Sequence, residues 1–118
     1  MAAPSLDIAV LGTGFGQKVH IPGFQVHHRT QVVAVYHRDA ETAQAIAAKH
    51  GIPHACSTLA EVLALSEVDA VSIATPPFLH LSMATEVLQA GKHILLEKPT
   101  ALSVEEARQI ELLAQQNQ

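Results

Sequence analysis

The sequence predicts an α/β domain with a doubly wound parallel sheet, and three observations carry the prediction. Short β-branched apolar runs alternate with longer stretches of helical period. The connections between them are short, and no repeat, linker or low-complexity segment interrupts the order. The resulting pattern, βαβαβαβαβα, is the one that right-handed crossovers wind into a parallel sheet with helices on both faces.

Each strand has its own signal. Leu6 to Leu11 (LDIAVL) is an apolar run halted by glycine, and Gln31 to Tyr36 (QVVAVY) is a second, both reading as buried parallel strands. A weaker strand sits near His54 to Cys56, and stronger ones at Asp69 to Ala74 (DAVSIA) and His93 to Glu97 (HILLE). The helices carry independent start and stop signals. Asp39 is positioned to cap a helix whose face holds Ala43, Ile46 and Ala47 and which ends at Gly51. Thr58 with Glu61, and Ser103 with Glu106, have capping-box spacing, in which hydroxyl and carboxylate reciprocally satisfy free backbone N–H groups. Leu79, Met83 and Val87 share one face of a helix that stops at Gly91. Val104, Ala107, Ile110 and Ala114 form the stripe of the last helix. The first helix is expected to break at Pro22, which has no N–H for the i−4 bond.

Composition narrows the functional classes. At 118 residues and 48% hydrophobic content, residues 1–118 make a single domain with a sizeable core. The net charge of −4, with mixed signs and no basic stripe, disfavours nucleic acid and anionic membranes as partners. Aromatic content of 3% leaves little to stack on single-stranded nucleic acid. No apolar run approaches the roughly eighteen residues of a membrane span. The single cysteine, Cys56, excludes an internal disulfide, and the N-terminus lacks a secretory pattern, so a cytoplasmic location is expected.

The chemistry is expected in the loop Gly12-Thr13-Gly14-Phe15-Gly16-Gln17, between the first strand and the first helix. Gly12 permits a tight turn, Gly14 lets a diphosphate approach the backbone, and the helix N-terminus faces the anion. The third glycine of the dinucleotide fingerprint would fall at Gln17, so the close helix-to-strand packing it permits must be arranged differently, with Gly16 the nearest substitute. After the second strand, where an NAD-specific domain has an acid for the ribose hydroxyls, the sequence has His37-Arg38-Asp39. Arg38 suits a 2′-phosphate and favours NADP. The alternative is a solvated Arg38 with Asp39 reaching the ribose, which would favour NAD. His20, His27, His28 and His50 lack metal-binding spacing and read as solvated faces, no metal site is expected, and Cys56 reads as a small buried hydrophobe.

Taken together, GTGFGQKVHIPGF, VVAVYHRD, VSIATPPFLH and AGKHILLEKPTALSVEEA resemble the N-terminal Rossmann domain of the glucose–fructose oxidoreductase and inositol dehydrogenase (Gfo/Idh/MocA) family. The resemblance spans nearly the whole chain, and Glu97-Lys98-Pro99 after an apolar strand is its most specific element. It implies that Ala74, Thr75, Pro76 and Pro77 line the cofactor. It places Lys98 beside the nicotinamide and the reacting carbon, with a cis bond at Pro99. It implies reversible hydride transfer between the nicotinamide and a sugar-like or other secondary alcohol or carbonyl. Lys98 is then the candidate for moving a proton at the reacting oxygen, since a lysine beside an oxidised ring has its charged form disfavoured. The bland alternative is a surface lysine before a turn. His80 matches a histidine of the same family segment, and either contacts cofactor or caps and bonds near the Glu97 strand end.

The family's second, substrate-binding domain and sixth strand lie outside this sequence. The edge of the fifth strand is therefore expected either to associate with another copy or to belong to a fragment of a longer protein. Two readings follow: the cofactor half of an NADP-dependent oxidoreductase, inactive by itself, or a non-catalytic dinucleotide-sensing or regulatory module. The intact Glu97-Lys98-Pro99 argues for the first.

Overall fold

Strands Leu6–Leu11 (β1), Thr30–Tyr36 (β2), His54–Cys56 (β3), Ala70–Ile73 (β4) and His93–Leu96 (β5) form one parallel sheet in the order β3-β2-β1-β4-β5. The structure, a computed structural model, describes residues 5–12, 14 and 16–117, so Thr13 and Phe15 lie outside the described residues. The strand order reverses direction between β1 and β4, which opens a crevice at the carboxyl ends of those two strands.

Burial on both faces explains why the strands read as nearly continuous apolar runs. On β1, Ala9 and Leu11 face a cluster with Val71, Ile73 and Val87, while Ile8 and Val10 face Ile21, Ile46 and Ile52. The first cluster is closed by helices α3 (Leu59–Leu63), α4 (His80–Gln89) and α5 (Val104–Gln116). The second is closed by α1 (Ile21–Val26) and α2 (Ala40–His50). Ile8 pairs with Val32 but Ala9 pairs with Ala34, leaving Val33 as a bulge. Val33 and Ala34 consequently both turn into the first cluster.

The helix ends depart from expectation in instructive ways. A π-helical turn at Gly16–His20 precedes α1, so the expected break falls at His20 and Ile21. Pro22 sits in the first turn of α1, where its missing N–H needs no partner. Asp39 has the extended backbone of an N-cap, but its carboxylate takes the Thr42 hydroxyl at 2.5 Å and makes no side-chain bond to the helix N–H groups. At its other end α2 stops at Gly51, φ +67°, as expected.

Thr58 and Ser103 do cap their helices, accepting from the N–H of Glu61 at 3.1 Å and of Glu106 at 3.2 Å. The reciprocal halves differ from the expected box. Glu61 takes the hydroxyls of Ser57 and Thr58, which compete for its carboxylate. Glu106 takes the N–H of Leu102, one residue earlier than a capping box requires. Val104 does not join the packed stripe of α5: it opens the helix and is 70% exposed, while Ile110 is buried and Leu113 packs beside it. No helix among the described residues is long and apolar enough to cross a membrane.

Candidate functional site

Register brings the loops together. Leu11 is level with Tyr36 and with Ile73, and Ile73 with Leu96, so Gly12, His37, Ala74 and Glu97 leave the sheet along one edge. Between β1, β2 and β4 this edge opens a cleft of about 520 Å³, a size suited to a small molecule. Gly12 and Gly14 form its base, and Tyr36, His37 and Arg38 one wall. Ala74, Thr75 and Pro76 form the other. Phe78, Leu79 and Met83 complete the lining.

The three glycines have separate tasks. Gly12 sits at φ +107°, and a Cβ there would lie 2.6 Å from the Ala74 carbonyl oxygen, so only glycine fits. A Cβ at Gly14 would meet nothing within 4 Å, leaving its backbone open to a ligand. Gly16 is buried, and a Cβ there would stand 3.1 Å from Val10 Cγ1 and 3.4 Å from Ala74 Cβ. Gly16 thus permits the close packing that the fingerprint assigns one residue later. Gln17 lies away from the cleft, its Oε1 3.3 Å from His50 Nε2.

The charged groups sort by position. Arg38 is exposed at the cleft wall. Asp39 stands outside the cleft, and the Thr42 hydroxyl holds its carboxyl below the ordinary value. His37 Nδ1 accepts the Asp39 N–H at 2.9 Å, which leaves Nε2 to carry the proton of the neutral ring. Among the described lining residues of the cleft there is no carboxylate.

Around the end of β5 a second group of side chains assembles. Glu97 Oε2 is 2.7 Å from His20 Nε2, and its Oε1 accepts the Lys98 N–H at 3.1 Å. The hydrogen bond to His20, then that to the Lys98 amide, holds the Glu97 carboxyl below its ordinary value. His20 is 8% exposed and its Nδ1 lies 2.5 Å from the Ser72 hydroxyl, so it is no solvated histidine. His50, half-buried against Gln17, also departs from that expectation, whereas His27 and His28 are exposed and stacked on each other. His80 is buried, with Nε2 2.8 Å from the Thr75 carbonyl and Nδ1 3.0 Å from that of Thr100. It therefore ties the cleft wall to the turn after Lys98. The Lys98–Pro99 bond is cis, and Lys98 is exposed.

Of the residues singled out in the sequence, Gly12, Gly14, His37, Arg38, Ala74, Thr75 and Pro76 meet in the cleft. Pro77, His80, Glu97 and Lys98 do not line it: Pro77 follows the lining residue Pro76, His80 holds the Thr75 carbonyl from α4, and Glu97 and Lys98 follow β5. Tyr36, Phe78, Leu79 and Met83 are lining residues that sequence reasoning missed. Helical spacing assigns Leu79 and Met83 to the core, and there Met83 is buried and Leu79 packs against the first cluster; both also reach the cleft wall, which helical spacing does not show. The free thiol Cys56 is buried, as expected, and no cluster of three metal-ligating side chains occurs among the described residues.

Residues 6–118 match the family described as "Oxidoreductase family, NAD-binding Rossmann fold". The chain is 51% identical over 116 residues to an uncharacterized oxidoreductase of Synechocystis sp., covering 98% of this chain and 31% of that protein. It is 44% identical over 87 residues to the NADP⁺-dependent scyllo-inositol 2-dehydrogenase of Bacillus subtilis, covering 74% and 26%. Among solved structures it is similar to the WlbA dehydrogenase from Bordetella pertussis in complex with NADH and UDP-GlcNAcA. That likeness has 32% identity, a TM-score of 0.87, and coverage of 96% of this chain and 35% of that one. The chain spans about a third of the length of the curated relatives it matches.

Proposed function

The chain belongs to the glucose–fructose oxidoreductase and inositol dehydrogenase family through its NAD-binding Rossmann fold, and on that premise we propose that it holds NADP in the cleft at Gly12. It serves hydride exchange between the nicotinamide and a sugar-like or other secondary alcohol or carbonyl. The observation that carries this reading is the convergence of the glycine turn, His37-Arg38 and Ala74-Thr75-Pro76 on one cleft at the point where the strand order reverses.

The residues fit the group. Gly12 and Gly14 let a diphosphate reach backbone N–H groups, and Arg38 offers a forked donor to a 2′-phosphate. The absence of a carboxylate among the described lining residues, and the engagement of Asp39 with Thr42, support NADP over NAD. When bound, the dinucleotide supplies the hydride chemistry. Lys98, two strand spacings or about 10 Å along the sheet edge from Gly12, is assigned to hold or move the proton at the substrate oxygen.

The test is calorimetric titration of the chain and of Arg38→Ala with NADP⁺ and NAD⁺. A charge-assisted contact is worth about 1.5 to 3 kcal/mol, so Arg38→Ala should weaken NADP⁺ roughly 10- to 150-fold and leave NAD⁺ unaffected. Tighter NAD⁺ binding by the unsubstituted chain, or an unchanged NADP⁺ affinity in the variant, overturns the cofactor assignment. Sustained NADPH oxidation by this chain alone with small sugars or aldehydes would contradict the reading that it is only the cofactor half.

Two further parts of the proposal concern surroundings. The buried free thiol of Cys56 supports a cytoplasmic location. Among the described residues β5 pairs only with β4, and Leu95 on it is 52% exposed, which supports association through that edge. Analytical ultracentrifugation giving a clean monomer at high concentration would refute association.

A further inference from the structure

His20, Ser72 and the adjacent pair Glu97 and Lys98 come from three separate places in the chain: the π turn that continues the glycine loop, β4, and the segment directly after β5. They are joined in one line of contacts. Ser72, 1% exposed, has its hydroxyl 2.5 Å from His20 Nδ1. His20 Nε2 lies 2.7 Å from one oxygen of Glu97, and the other oxygen accepts the Lys98 N–H at 3.1 Å. A carboxylate only accepts, so Nε2 must carry a proton, while Nδ1 faces a hydroxyl that can donate to it. Both ring nitrogens are thereby fixed, and the ring also stands edge-on to Phe24, centroids 6.3 Å apart.

A half-buried glutamate at a strand end needs no such support for stability alone, because water could solvate it. What the arrangement does instead is fold the Glu97 side chain back onto the peptide that enters Lys98. His20 ends a turn that begins at Gly16, directly after the glycines of the cleft, and π turns occur frequently at functional sites.

We propose that His20 is a positioning residue for Lys98, acting through Glu97, and that it couples occupancy of the phosphate loop to the placement of the Lys98 amine. The inference rests on the reading of Lys98 as the group at the reacting oxygen. No proton passes along the line; His20 and Ser72 set geometry, and Glu97 transmits it to the backbone.

The experiment is competitive acetylation of the chain with and without saturating NADP⁺, read by mass spectrometry, with Lys92, which is held by the Leu65 and Val68 carbonyls, as internal reference. The quantity is the ratio of Lys98 labelling rates without and with NADP⁺, measured at saturation so that affinity does not enter. In the unsubstituted chain the ratio should be about fivefold or more, a typical coupling between sites. In His20→Phe and in Glu97→Ala it should fall close to one, and Glu97→Gln, which keeps an accepting oxygen, should restore part of it. Glu97 is half-exposed at a strand end, so its variants decide the matter even where His20→Phe fails to fold. A ratio that both variants retain in full overturns this inference and leaves the Lys98 reading standing. A ratio near one in the unsubstituted chain overturns the Lys98 reading and this inference with it.

Discussion

Replacing the first two glycines of the loop by alanine should separate folding from binding. At Gly12 the substituted residue would be held at φ +107°, a region that costs a side chain about 1–3 kcal/mol. Its Cβ would also meet the Ala74 carbonyl oxygen at 2.6 Å, the carbonyl carbon at 2.7 Å and the Thr75 nitrogen at 3.0 Å. All three are backbone atoms, so relief requires moving the loop after β4, and overpacking of this kind adds about 1–3 kcal/mol. Gly12→Ala should therefore lose about 2–6 kcal/mol, a large part of the roughly 5–15 kcal/mol available to a domain. At Gly14 nothing opposes a Cβ, and Gly14→Ala should stay within about 1 kcal/mol of the original stability. Its NADP⁺ affinity should nonetheless fall, because the methyl group occupies the space a phosphate needs. Urea denaturation followed by circular dichroism gives the stabilities, and calorimetry the affinities. A Gly12→Ala variant within about 1 kcal/mol of the original, or a Gly14→Ala variant that binds undiminished, would refute the division of roles.

Two more outcomes follow from titrating groups. The folded state holds Glu97 below its ordinary value of 4.5, so its contribution is complete above that pH and is lost as pH falls through the lower folded value. Melting temperature should accordingly drop more steeply below pH 4.5 in the original chain than in Glu97→Gln, and parallel curves would contradict the His20 contact. Burial, and then the charge of Glu61, push the Cys56 thiol up, so maleimide at neutral pH should label it slowly in the folded chain and rapidly in urea. Rapid labelling of the folded chain would mean that β3 opens.

What could be read from the sequence was what depends on near neighbours. The apolar runs at Leu6 to Leu11 and Gln31 to Tyr36 fall where β1 and β2 lie, and Thr58 and Ser103 cap helices as their spacing implies. Gly12 was legible because a turn that tight admits one residue type. The Val33 bulge was not, since it arises from pairing with β1 and leaves no mark in the apolar run Val-Val-Ala-Val. The packing role of Gly16 depends on how close the π turn comes to Val10 and Ala74, which fingerprint spacing does not encode. His20 read as solvated because its partners, Ser72 and Glu97, are 52 and 77 residues away and meet it only once the sheet has formed. The side chain of Asp39 was misjudged for the opposite reason: Thr42, three residues on, competes locally for the same carboxylate.

Whether the cleft between β1, β2 and β4 is the dinucleotide site can be read residue by residue from a nitrogen–proton correlation spectrum of the ¹⁵N-labelled chain titrated with NADP⁺. NADP⁺ should produce saturable shifts concentrated at Gly12, Gly14, His37, Arg38, Ala74 and Thr75, with Gln31 and Glu67 at the opposite end of the sheet unmoved. Shifts centred away from that cleft, or none at millimolar NADP⁺, would contradict that assignment.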